Sequence, residues 1–300
     1  MSIAVIPAYK VIAKSARQVL GLPFEEAVDK LEEGLRSYIR DLLSNLHTSF
    51  VDLGERSAVA QLGDPNPEEL LDALSVLESG EPKGIVEDAL ALCVKHMPRS
   101  DLDARVVLLP GDGNSTVLVN KLNGALGFSL GAQVMMVFLW PTDSWQTWLR
   151  HTVTHEYAHL VRNLLFPRGL AGGKLIYLKT QEPETLLDAL VAEGLADTFA
   201  KRVLPDISPL WTEAPFDDRE AIVWRRVHRR LGVSEPIEIR RILFGDNDRI
   251  PQWAGYSFGY RIVGDFLKAN PGTDFAELMD LPAKAIYEGS GFQARQESAL

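Results

Sequence analysis

The pattern of apolar and polar positions falls into two regimes that change over near residue 100. Before it, apolar side chains return every three or four positions, the repeat of a helix with one buried face. Residues 22–46, "LPFEEAVDKLEEGLRSYIRDLLSNL", carry that repeat with acids near the start, which predicts a surface helix. "PNPEELLDALSVLESG" (65–80) predicts a second, with Asn66 as N-cap, Pro67 as first helical residue and Gly80 at the close. "IVEDALALCVKHMP" (85–98) predicts a third, stopped by Pro98.

After residue 100 the pattern shortens. "ARVVLLPGDG" (104–113) and "GAQVMMVFLWP" (131–141) are β-branched and aromatic runs bounded by Gly and Pro, so they read as strands. "TDSWQTWLRHTVTHEYAHLVRNLLF" (142–166) predicts a long helix with Thr142 or Asp143 as its cap. A Gly-rich loop, "PRGLAGGK", follows. "EPETLLDALVAEGLADTFAKRVL" (182–204) predicts another helix, with acids in its first turn and bases in its last, as the helix dipole favours. The remainder reads as helices with irregular links, including "GYSFGYRIVGDFLKANPG" (255–272), and the chain has no internal repeat or low-complexity segment. The expected fold is α+β and mainly helical. A helical N-terminal region over 1–100 precedes a second domain over 101–300, which holds a small sheet and the long helix.

Composition narrows the function. An apolar fraction of 46% supplies a sizeable core, and a formal charge of -10 argues against nucleic acid, whose phosphates need clustered Lys and Arg. The basic run "WRRVHRRLG" (224–232) reads more simply as the wet face of a helix. A single cysteine, Cys93, excludes an internal disulfide framework and a cysteine-rich zinc site, and its apolar flanks make it a small buried hydrophobe. Pro7, Lys10 and Lys14 interrupt the N-terminus before it reaches signal-peptide length. The longest apolar run, "VMMVFLW" (134–140), is far short of the roughly 20 residues that span a bilayer. The expectation is a soluble, cytoplasmic protein with neither nucleic acid nor membrane as partner.

The candidate chemistry sits in "VTHEYAHLVRNLLF" (153–166). His155 and His159 are four apart, so on a helix they lie about 40° apart around the axis and one turn along it. Two imidazoles so placed can grip one zinc, and Glu156 beside them can reach its water as general base. A catalytic zinc takes a third protein ligand and keeps one position open for water. Glu193, Glu182, Glu184 and Asp188 all lie on the next long helix. Of these, Glu182 and Glu184 are better explained as first-turn acids. His151, one turn before His155, reads as a polar neighbour or a satisfied core histidine rather than a ligand.

The motifs "HEYAHLVR" (155–162), "EGLAD" (193–197) and "GYSFGY" (255–260) resemble those of gluzincin metallopeptidases. The nearest resemblance is to a bacterial family of unknown function described as predicted zinc-dependent proteases, and it covers roughly residues 100–290. The resemblance implies a zincin-like catalytic domain with one Zn2+ per chain held by His155, His159 and Glu193. Asp197, four residues after Glu193 and so on the same helical face, would accept the free ring N–H of a ligating histidine. A substitution at Asp197 is expected to leave the fold intact, because such a position borders a wet cleft. In such folds an edge strand before the active-site helix holds extended peptide, and "GAQVMMVFLW" stands where that strand is expected. Gly194 beside the ligand points to close helix packing. Tyr256 and Tyr260 are candidates to donate to the developing oxyanion, against the simpler reading of an aromatic packing pair at helical spacing.

Two functions follow. One is an endopeptidase acting on a peptide or protein substrate, with Glu156 as base. The other is a zinc-binding protein, or a degenerate peptidase, that regulates without catalysis. Glu156 favours the first, because a structural site has no use for a base there and normally has four protein ligands.

Overall fold

The computed structural model describes residues 2–46, 48–213, 216, 219–245 and 249–298. The protein is mainly helical α+β. It divides into two compact units, residues 1–160 and 161–300.

The first unit begins with strand β1 (Ser2–Ile6) and then runs through α1 (Tyr9–Gln18), α2 (Phe24–Leu43), α3 (Thr48–Leu62), α4 (Pro67–Ser79) and α5 (Pro82–His96). Asn66 caps α4 as expected, its side chain accepting from the backbone N–H of Glu68 and Glu69. β1 departs from the helical reading of this stretch. Its five residues pair in parallel with β2 (Asp103–Pro110), from Ser2 opposite Asp103 to Ile6 opposite Val107.

A π-helical turn (Val117–Lys121) leads to β3 (Ala125–Leu130), β4 (Val134–Leu139) and helix α6 (Trp145–Leu165). The sheet order is β1-β2-β4-β3, with β4 parallel to β2 and antiparallel to β3. β4, "VMMVFL", is buried at every residue. That is the signature of a strand covered on both faces, and it explains the unbroken apolar run. The sequence reading therefore needs a correction here: β4 is an inner strand, and the edge beside it is β3. Residues 131–133, read as the start of a strand, are the loop of the β3–β4 hairpin, and Gly131 takes the left-handed φ of +59° that a glycine adopts without strain.

Helix α6 also starts later than its sequence suggests. The Thr142 hydroxyl donates to the Asn123 carbonyl at 2.7 Å, while the backbone N–H groups of Thr147 and Trp148 reach the Ser144 carbonyl. The inner side of α6 is fastened to α5. The Tyr157 phenol donates to the Met97 carbonyl at 2.7 Å, and Thr154 lies against the buried Cys93, whose thiol burial pushes up to about 12.

The second unit opens with a hairpin of β5 (Arg168–Ala171) and β6 (Lys174–Tyr177). It continues through α7 (Leu186–Val203), a 3-10 turn (Leu210–Glu213), α8 (Glu220–His228), α9 (Pro236–Phe244), α10 (Ala254–Ala269), α11 (Phe275–Asp280), α12 (Ala283–Gly289) and α13 (Phe292–Ser298). Helices α7 and α10 meet at Gly194 and Gly259. A Cβ on Gly194 would overlap the Gly259 carbonyl, and one on Gly259 would overlap the Leu190 carbonyl. Gly255 is likewise closed against the backbone of Leu243 on α9. The glycines of "GYSFGY" are thus contact points between helices. The last residue of "HEYAHLVR" is structural too. Buried Arg162 donates to the Met279 and Leu281 carbonyls and lies 3.9 Å over the Phe166 ring. No helix among the described residues is long and apolar enough to cross a membrane.

Candidate metal centre

The site grows from the middle of α6. At 100° per residue, His155 and His159 share one stripe, Thr152 and Glu156 the next, and Thr154 and Tyr157 the stripe turned to α5. Burying the last of these against Cys93 and Met97 fixes the rotation of the helix, and with it the direction in which the histidines face.

The sequence motif is realised in space. His155 Nε2 and His159 Nε2 stand 3.0 Å apart with rings at 69° to each other. A carboxylate oxygen of Glu156 joins them, all three ligand atoms lying within 4.8 Å of one another. His155 and Glu156 are buried, at 9% and 5% exposure, and His159 is partly open. His151 lies one turn back, 3% exposed, with its ring 6.1 Å from that of His155. Burial, and then the nearby His155, depress its imidazole to about 3, so it is neutral where the others work. His151 is a buried neighbour of the pair, packed beside the Trp148 ring at 5.5 Å.

Glu156 has a partner that the sequence did not reveal. Ser129, on β3, donates from Oγ to Glu156 Oε2 at 2.8 Å. Two residues earlier on the same strand face, Gly127 leaves room for the helix: a Cβ there would stand 2.6 Å from Glu156 Cγ and 2.7 Å from Thr152 Cγ2. The Thr152 hydroxyl donates to the Ala125 carbonyl at 3.3 Å.

The remaining predicted site residues lie in the second unit. Glu193 is half-buried on α7. Asp197, one turn on, is 1% exposed and accepts the Trp211 indole N–H at 3.0 Å. The expectation of a wet position at Asp197 is therefore corrected, since its carboxylate is part of the buried interior and Trp211 depends on it. The Trp211 ring in turn packs at 6.0 Å from Tyr256, which also touches Phe244 and Trp253, each at 5.5 Å. Tyr256 is thus built into an aromatic cluster, and Tyr260 follows it one turn along α10, half-buried.

The competing acids sort themselves. α7 begins at Leu186 behind a capping box in which Thr185 and Asp188 satisfy each other's backbone. Asp188 is a first-turn acid, but Glu182 and Glu184 precede the helix. Glu184 is buried and pairs with the Arg168 guanidinium of the β5–β6 hairpin. Burial pushes its carboxyl up while Arg168 opposes the shift.

One family model covers residues 83–288, that of a family described as Predicted Zn-dependent protease (DUF2268). No curated protein and no solved structure matches the chain.

Proposed function

The chain belongs to this family of predicted Zn-dependent proteases, and from that premise we propose that it is a zinc metallopeptidase of endopeptidase type. The observation that carries the reading is the convergence of His155, His159 and Glu156 within 4.8 Å. The donor set fits zinc. Two imidazole nitrogens at 2.0–2.1 Å from a tetrahedral ion stand about 3.3 Å apart, close to the 3.0 Å found.

Bound there, zinc supplies a Lewis acid that polarises the scissile carbonyl and brings the pKa of a water to about 7. The chain's own residues do the rest. Glu156 takes a proton from the attacking water and returns it to the leaving amine nitrogen as the C–N bond breaks, so its carboxylate ends the cycle as it began. Glu193 is proposed as third ligand on its spacing from Asp197 and its half-buried place on α7. Asp197 is proposed to accept a ligand histidine's free N–H, on its place one turn after Glu193 on α7. Tyr256 and Tyr260 remain the candidates to donate to the oxyanion. β3, at the sheet's edge and in contact with α6, supports an extended substrate added as a further strand, which suits cleavage within a chain rather than at its end.

Elemental analysis of protein purified without chelator tests the centre. About one zinc per chain is expected, lost in His155→Ala and in His159→Ala. Glu156→Gln keeps the metal and loses peptide hydrolysis by several orders of magnitude. A metal-free wild-type protein would sink the site, and full turnover by Glu156→Gln would sink the reaction class.

A further inference from the structure

A general base works only from a narrow range of positions, and a glutamate has three side-chain torsions with which to leave it. Glu156 is restrained from two sides by one strand. Ser129 Oγ sits 2.8 Å from Oε2 and 3.5 Å from the Glu156 backbone oxygen, so its single proton goes to the carboxylate. Gly127 presents bare backbone where a side chain would press on Cγ at 2.6 Å. The Thr152 hydroxyl ties the same strand to the same helix one turn before Glu156.

We propose that Ser129 is a positioning residue for Glu156: its hydroxyl holds Oε2 and thereby turns the other carboxylate oxygen to the water from which the proton is taken. The inference rests on the reading of Glu156 as base. Gly127 completes the device by letting strand and helix close to this distance. The arrangement explains why "ALGFSL" carries small residues at its third and fifth positions, on the face toward α6. It also gives β3 two tasks, since its edge is open to substrate while its face sets the base.

The test compares zinc-loaded Ser129→Ala, Ser129→Thr and Glu156→Gln with wild type. Ser129→Ala is expected to lower kcat 10- to 100-fold, the scale of a misplacement of up to about 1 Å, with KM within about twofold. Zinc affinity by chelator competition is expected to be unchanged, because neither histidine has lost a contact. Ser129→Thr keeps the hydroxyl, suits a strand, and is expected to restore most of the turnover. Crystal structures of the Ser129→Ala and wild-type holoproteins are expected to differ in the rotamer of Glu156. An unmoved carboxylate in Ser129→Ala overturns the proposal, and so does undiminished kcat when Glu156→Gln is inactive. A parallel fall in zinc affinity and melting temperature, unrelieved by Thr, assigns Ser129 to the fold and also overturns it. Should Glu156→Gln turn over normally, the reading of the base has failed, and the Glu156 rotamer in Ser129→Ala still decides whether Ser129 positions it.

Discussion

Asp197 carries two loads that a single substitution can separate. Its Oδ2 accepts the Trp211 indole N–H, and its proposed second task is to accept from a ligand histidine. Asp197→Asn keeps a carbonyl oxygen that can receive the indole, so the metal-free protein is expected to retain nearly all its stability. Asp197→Ala removes the carboxylate that accepts the N–H of a buried tryptophan, and losing the partner of a buried donor costs about 1–3 kcal/mol. Urea denaturation of the metal-free proteins reads this directly. Trp211→Phe removes the donor, so Asp197→Ala made in that background is expected to cost less than it does alone. Zinc affinity is a separate measurement. Losing a partner of a ligating histidine weakens it 10- to 100-fold, and an unchanged affinity in Asp197→Ala would remove Asp197 from the support of the metal site.

Elements differ in how plainly the sequence announces them, and the difference follows from where their information lies. The His155–Glu156–His159 cluster was legible because four-residue spacing on a helix is a local geometry, fixed by the backbone once α6 forms. Gly194 was legible for the same reason: a glycine in mid-helix has a cost, and the approach of Gly259 accounts for it. β1 escaped notice because five residues at the chain's start become a strand only by pairing with residues about a hundred positions away. β3 escaped because its glycine and serine look like loop residues until α6 is laid across them. Ser129 and Trp211 had no signal at all, since each acts on a partner 27 or 14 residues distant that periodicity does not link to it. The α7–α10 crossing can be tested as an element. In Gly194→Ala the new methyl meets a backbone carbonyl that has no side-chain freedom to retreat, so overpacking should reach the upper end of its usual range, about 3 kcal/mol. Gly264→Ala, on the same helix α10 but with nothing within 4 Å of its Cβ, is the control and should be neutral or slightly stabilising. Equal midpoints for the two variants in urea would mean that the helices do not meet as described.

For the molecule as a whole, zinc is a ligand of the native state, and mass action converts its affinity into stability. At free zinc about a thousandfold above Kd the gain is roughly 4 kcal/mol, because the unfolded chain has no preformed site. Each kcal/mol moves the melting temperature of a protein of this size by about 2–4 °C. Chelation is therefore expected to lower the melting temperature by roughly 10 °C, and His155→Ala is expected to melt at the chelated temperature whether or not zinc is added. Because the chain holds two compact units, calorimetry is preferable to a single optical probe, which assumes one transition. The same experiment judges the third ligand. If Glu193 binds the metal, Glu193→Ala loses most of the zinc-dependent shift while its metal-free melting temperature stays near that of wild type, since a half-buried acid contributes little to packing. A full shift in Glu193→Ala would remove it from the ligand set. Glu184 could not then take its place cheaply, because a metal would have to draw this buried carboxylate away from the half-buried guanidinium of Arg168 and break their ion pair.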